Sequence, residues 1–187
     1  MWVDKKRRSM VTIIIGGSGS GKSEYAENLI VQYGKERKSS LIYIATMQPY
    51  DKETEMRIQK HQLMRQNKNF STLECYTGLD KVKLEGNTLV LLECMSNLVA
   101  NEMFSSKGAK ENTVNAVLQG VNNVMHQADH LLVVTNNVFE AGSDYDATTL
   151  EYLNILGEIN RRICSLADQV IEVVHGIPIF IYPKTST

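Results

Sequence analysis

A lysine and a hydroxyl at the end of a glycine-rich run are the first residues equipped for chemistry: Gly16-Gly17-Ser18-Gly19-Ser20-Gly21-Lys22-Ser23. The spacing is Gly, four residues, Gly, Lys, Ser, which is that of a phosphate-cradling loop. Glycines let successive backbone N–H groups converge on an anion, and the N-terminus of a following helix adds its dipole. Lys22 then reaches the β- and γ-phosphates of a nucleotide, and the Ser23 hydroxyl is placed to ligate Mg2+. Every residue from Gly16 to Ser23 is therefore a nucleotide-binding candidate, and Lys22 is a catalytic one as well.

A second group lies further on. Arg57, His61 and Arg65 are spaced i, i+4, i+8, so a helix carries all three on one stripe. An imidazole between two guanidiniums suits a phosphate-rich ligand, and a neutral histidine can attack a phosphorus centre. The same spacing also describes a solvated face on which Glu53 pairs with Arg57, and spacing alone favours that simpler account. Among carboxylates, Glu93 closes the apolar run Thr88 to Leu92 and resembles the Walker B position, where an acid supports Mg2+ or a ligand hydroxyl. Glu74 is a weaker candidate of the same kind. His126 and His130 stand four apart beside Asp129, but His130 reads as the start of the next strand, so no metal pair is expected there. The segment Thr135-Asn136-Asn137-Val138 is not the Asn-Lys-x-Asp element that reads guanine, and it leaves the base undecided.

The elements that must position these groups follow from periodicity. Val11 to Ile15 is a β-branched run that empties into the loop, and Ala26, Leu29, Ile30 and Tyr33 recur at helical spacing behind it, with Gly34 as the expected C-cap. Leu41 to Ala45 is the next strand, and a strand, helix, strand order implies a parallel pair. Asp51 caps a helix to about Gln66. Strands are expected over 71–75, 88–93 and 131–134, and an apolar stripe from Val114 to Ala128 marks a core-facing helix. Asp146 caps a long helix through about Asp168. The runs 170–174 and 179–182 then form an antiparallel hairpin joined at His175-Gly176-Ile177-Pro178. The expected fold is α/β, a mostly parallel sheet flanked by helices with a C-terminal antiparallel edge hairpin.

Composition narrows the classes. A chain of 187 residues with net charge -1 has no global basic field, so nucleic acid is not an expected partner. Its three cysteines form no CxxC pair, which suits a reducing cytoplasm. Residues 1–9 read as a solvated basic extension and 10–187 as one nucleotide-binding transferase domain. No apolar run approaches the roughly 20 residues that span a bilayer, so membrane insertion is not expected.

Together the glycine loop, Tyr43-Ile44-Ala45-Thr46, Glu55-Met56-Arg57-Ile58-Gln59-Lys60-His61, Leu91-Leu92-Glu93-Cys94 and Val133-Val134-Thr135-Asn136 resemble a known family. They are similar to the bifunctional adenosylcobinamide kinase/adenosylcobinamide-phosphate guanylyltransferases of cobalamin biosynthesis. The similarity runs on through Ala167-Asp168-Gln169-Val170 to Gly176-Ile177-Pro178. It implies a P-loop NTPase core of RecA-like type and two reactions, phosphorylation of adenosylcobinamide and GMP transfer from GTP to adenosylcobinamide phosphate. His61 matches the histidine that such enzymes guanylylate. Ala45, Thr46, Met47, Arg57, Gln62, Leu63, Met64, Arg65, Glu74 and Glu93 match positions lining the nucleotide site, with Ser23 and Glu93 toward the metal. GTP, ATP and Mg2+ are the implied cofactors, adenosylcobinamide the implied corrinoid partner, and a homo-oligomer, in trimer form, the implied assembly.

This chain departs from the family pattern at Gly19, at Asn137, at Phe139-Glu140-Ala141-Gly142-Ser143-Asp144 and at Leu150-Glu151-Tyr152-Leu153-Asn154. The changes gather on the acceptor side. Two other readings therefore stay open at this point: a P-loop kinase of another small hydroxylated substrate, and a nucleotide-binding protein that has lost turnover.

Overall fold

The β-branched run at the start of the chain alternates with period two, sending Ile13 to one side and Ile14 to the other, so this strand has to be covered on both faces. The computed structural model describes residues 9–137 and 145–183. It meets the demand with a seven-stranded sheet held between two apolar layers. In chain order the strands are β1 (Met10–Gly16), β2 (Ser40–Ala45), β3 (Phe70–Glu74), β4 (Thr88–Glu93), β5 (His130–Asn136), β6 (Gln169–Val174) and β7 (Ile177–Pro183). The helices are α1 (Lys22–Arg37), α2 (Lys52–Arg65), α3 (Met95–Phe104), α4 (Thr113–Gln127) and α5 (Ala147–Leu166).

Across the sheet the order is β3-β2-β4-β5-β1-β6-β7. The pairings from β3 to β6 are all parallel, and β7 runs antiparallel to β6. One layer packs Val11, Ile13, Val90, Leu92, Leu131 and Val133 against apolar residues of α3, α4 and α5. The other packs Ile14, Leu89, Leu91, Leu132 and Val134 against Ala26 and Ile30 of α1. Helix α2 lies on the α1 side, where the Arg65 guanidinium rests 3.5 Å from the centroid of the Tyr43 ring. Its start is fixed as the sequence predicts, by an Asp51 carboxylate that accepts the Thr54 N–H at 2.7 Å. Asp146 does the same for α5 through Thr149.

Three expectations change. Gly34 is not the C-cap of α1: the helix continues to Arg37, Lys38 takes the left-handed turn at φ 52, and Gly34 is pressed against Leu41, where an added Cβ would come within 2.7 Å of Cδ2. Helix α3 has no counterpart in the sequence reading. The hairpin connection is shorter than expected, with only His175 and Gly176 in the turn, at φ 49 and 80, while Ile177 and Pro178 already belong to the edge strand.

His130 lies in the core with Thr12 Oγ1 2.9 Å from its Nε2 and its ring stacked on Tyr33. Burial pushes its pKa down to about 4. Among the described residues no group of three or more His, Cys, Asp or Glu is gathered as a metal cluster, and no helix is long and apolar enough to cross a membrane. The expected N-terminal extension, apart from Ser9, and the departing segment Phe139 to Asp144 lie outside the described residues.

Candidate active site

Parallel pairing brings the carboxyl ends of the strands into line, and ligands of open α/β sheets bind just beyond that edge. Gly16 at the end of β1 is in register with Asn136 of β5, and Ala45 at the end of β2 is in register with both Glu74 of β3 and Glu93 of β4. The glycine loop, Ala45-Thr46-Met47, Glu74 and Glu93 therefore share one edge.

Within the loop, Gly19 and Gly21 hold φ 71 and 86, angles that residues with a Cβ rarely adopt, and Gly21 serves as N-cap of α1. The loop is braced from β6–β7: the Gly176 N–H donates to the Ser20 carbonyl at 2.8 Å. Lys22 is only 8% exposed and donates to the Gly17 carbonyl at 2.9 Å. Burial lowers its pKa, while the nearby Cys94 and Glu93 pull the other way. The Ser23 hydroxyl donates to Oε1 of Glu93, joining the first turn of α1 to the end of β4. Oε2 of Glu93 is enclosed and has no hydrogen-bond partner among the described residues. Burial raises the Glu93 pKa to about 7, against the hydrogen bond from Ser23, which lowers it. A hydroxyl and an acid with an unpartnered oxygen make a hard-oxygen donor pair of the kind that suits Mg2+, which typically takes one or two protein ligands and fills its shell with water and phosphate. The residues present thus fit that ion.

Thr46 ties the edge together. It is fully buried, its N–H donates to the Glu93 carbonyl at 3.0 Å, and its hydroxyl accepts the Cys94 N–H at 2.7 Å. Asn101 of α3 donates to the Thr46 carbonyl at 2.8 Å.

The stripe on α2 divides along its length. Arg57 is exposed and pairs with Glu53 at 3.8 Å, as the solvated reading of this face has it. His61 is half-buried, and Arg65 is 7% exposed. Desolvation lowers the His61 pKa first, with Arg65 next, while Glu27 of α1 acts in the opposite sense. Gln62 and Leu63 point outward, Leu63 being 70% exposed, and Met64 is at the margin of exposure. Glu74 is exposed and accepts from the Tyr76 hydroxyl at 2.9 Å.

Two residues of this cluster escaped the sequence reading. Glu27 is wholly buried and pairs with Lys68 at 2.8 Å. A signal existed: Glu27 falls on the stripe of Ala26, Ile30 and Gly34 that faces the core, where an acid is out of place unless partnered.

The fold and loop define a P-loop nucleotide-binding protein with a RecA-like sheet. A solved ATPase domain, 8% identical in sequence, superposes with a TM-score of 0.57 over 97% of this chain and 79% of its own. Residues 12–181 match the family described as cobinamide kinase / cobinamide phosphate guanyltransferase. The bifunctional adenosylcobalamin biosynthesis protein CobU of Escherichia coli is 30% identical over 182 residues, covering 90% of this chain and 97% of its own. The protein of the same description from Salmonella typhimurium matches at 30% over the same lengths. The chain belongs to the cobinamide kinase / cobinamide phosphate guanyltransferase family: it is a transferase of cobalamin biosynthesis that uses nucleotide and cobinamide substrates.

The Glu93 carboxyl carries a linkage prediction. Its folded pKa lies above the ordinary 4.5, so its contribution to stability is fully present below about 4.5 and is lost as pH rises through 7. Without nucleotide or magnesium, Glu93→Gln should therefore gain stability relative to the unsubstituted protein by roughly 2 to 3 kcal/mol between pH 5 and pH 8, from the 1.36 kcal/mol carried by each pKa unit. Urea denaturation at the two pH values measures it, and a difference that does not grow with pH contradicts the assignment.

Proposed function

We propose that the chain runs both family reactions at the single edge described above, with His61 as the covalent carrier of GMP. The observation that carries this reading is that the His61 end of α2 packs beside the loop's own helix: Arg65, one turn after His61, lies over Tyr43 of β2, and Lys68 just past α2 pairs with Glu27 of α1. Glu93 holds Ser23 at the end of the loop. The phosphate cradle and the helix that carries the imidazole are thus packed side by side.

In the kinase step, loop N–H groups from Gly16 to Ser23 hold the ATP or GTP triphosphate. Lys22 neutralises charge growing on the transferred γ-phosphoryl group as the cobinamide hydroxyl attacks it. Ser23 and Glu93 would hold Mg2+, which supplies charge neutralisation at the phosphates when bound. Ala45, Met47, Arg65 and Glu74 line the nucleotide, with Thr46 holding the edge in place from behind; Arg57 and the outward Gln62, Leu63 and Met64 come to it from the exposed side of α2.

In the transferase step His61 is the nucleophile. Burial and the Arg65 charge keep its imidazole neutral near pH 7, so a lone pair is available. That pair forms a bond to the α-phosphorus of GTP, the bond to the bridging oxygen breaks, and pyrophosphate departs. A phosphate oxygen of cobinamide phosphate then attacks the same phosphorus, and the P–N bond returns its electrons to the ring. The guanidinium of Arg65, buried beside His61, steadies the charge on the phosphoramidate. The corrinoid is adenosylcobinamide, the assembly a homo-oligomer, and the compartment a reducing cytoplasm, in keeping with the free thiols of Cys75, Cys94 and Cys164.

Incubation with GTP labelled at the α-phosphate should leave acid-labile label on the protein and none on His61→Ala. Equal labelling of the two removes His61 from the reaction. The labelling rate should fall in acidic buffer, with its midpoint below the 6.5 of an unperturbed imidazole. Lys22→Ala should lower the kinase kcat by about 100- to 1000-fold, the loss that follows removal of one preorganised donor to a developing anion; an undiminished rate sinks the loop assignment.

A further inference from the structure

Glu27 has no part in the two reactions as set out above, yet it is the most enclosed acid of the cluster. Its side chain is 0% exposed, and Oε2 accepts from Lys68 Nζ at 2.8 Å. Oε1 is buried and has no hydrogen-bond partner among the described residues. Opposite it, the inner side of α2 offers His61 and, one turn on, Arg65, with Lys68 just past the helix end. Positions 61 and 65 are spaced i, i+4 on one face of α2, and the turn after the helix brings Lys68 onto Glu27. Two more polar atoms on that side are buried without a hydrogen-bond partner among the described residues, Nδ1 of His61 and Nη1 of Arg65. Folded proteins rarely leave buried polar atoms unpaired, and three in one cluster call for a state in which they pair.

Nδ1 is the enclosed nitrogen of the ring, so in the proposed reaction the attack on phosphorus falls to the other nitrogen, Nε2. Among the described residues whose charges act most on His61, Glu27 is the acid, and Arg65, Lys60 and Arg57 are cations. A carboxylate behind the far nitrogen of a nucleophilic histidine has a defined job. It fixes the tautomer with the proton on Nδ1 and stabilises the imidazolium that forms when Nε2 becomes bonded.

We propose that Glu27 is the positioning residue for His61, its Oε1 accepting the Nδ1–H while Lys68 anchors the other carboxylate oxygen. The inference rests on the reading of His61 as the GMP carrier. As Nε2 bonds to the α-phosphorus, pyrophosphate leaves with the electrons of the broken P–O bond. The ring is then cationic, with its proton still on Nδ1 and shared with Oε1. When the acceptor phosphate takes GMP, the P–N electrons return to Nε2 and the ring is neutral again. No proton need leave the pair in either half of the cycle.

The test is Glu27→Gln in the full chain, read by single-turnover labelling from α-labelled GTP and by NMR titration of the His61 ring. Labelling is expected to slow by about tenfold or more beyond any fall in the cobinamide kinase rate. The His61 midpoint should move to lower pH as the Glu27 charge is lost, and Glu27→Asp should recover part of the rate. An unmoved midpoint, or labelling and kinase rates that fall together, overturns the proposal and leaves Glu27 a packing residue. Should the Gln variant fail to fold, Lys68→Met frees the same carboxylate from the protein's edge. It should slow labelling in the same sense, and an unchanged rate counts against the proposal. Absence of label on the unsubstituted protein would instead overturn the His61 reading itself, whereas equal labelling of the unsubstituted and Gln proteins removes only Glu27.

Discussion

The hydrogen bond from the Ser23 hydroxyl to Glu93 is the contact on which the site depends. Glu93 lies on β4, and β4 is separated from the loop strand β1 by β5. Helix α1 bridges that gap because it packs across β4 and β5 as well as β1. The loop is therefore anchored at three places: by its own strand, by the β6–β7 turn at Ser20, and by an acid two strands away. Such anchoring is what preorganisation requires, since donors that must be gathered at the moment of reaction lose much of their value.

Enclosing that contact has a price, and it falls on the acids. Glu93, Glu27, Arg65 and His61 share one side of the sheet and are all wholly or partly buried. Desolvation disfavours the charged form of each ionisable group, so Glu93 is pushed up and His61 down by the same cause. With His61 as the proposed carrier of GMP, its displacement is useful, because a neutral imidazole is the nucleophilic form. The displacement of Glu93 is tolerable if a cation meets its free oxygen during turnover. Arg65 and Lys68 offset the rest, one over the face of Tyr43 and the other on Glu27. Paired charges of this kind add little net stability, because desolvation takes back much of their attraction.

Much of this was legible from residue types alone. The β-branched run before the loop, the spacing through Lys22 and Ser23, and the acid closing 88–93 were enough to place strand, loop and acid at one edge of the sheet, because strand period and loop chemistry are local properties. The stripe of Arg57, His61 and Arg65 was visible, but its division was not: burial deepens toward the C-terminal end of α2, and that depends on how the helix leans on Tyr43 and α1. Helix α3 was missed because Met95, Leu98, Val99 and Met103 follow directly on a buried strand, with no side-chain cap on Cys94 to mark the break. Gly34 misled for a related reason. A glycine near a helix end signals a cap, unless a neighbour such as Leu41 needs the space, and only tertiary packing reveals that. Glu27 and Lys68, 41 residues apart, find each other through the fold alone.

The central claim is that the triphosphate held by Gly16 to Ser23 is within reach of the protein's own imidazole. The most direct measurement is a structure of the full chain with magnesium and a GTP analogue that resists cleavage between the α- and β-phosphates. The account predicts Nε2 of His61 about 3 to 3.5 Å from the α-phosphorus, opposite the bridging oxygen that would leave. An analogue seated in the loop with its α-phosphorus turned away from α2, and His61 out of reach, would contradict it.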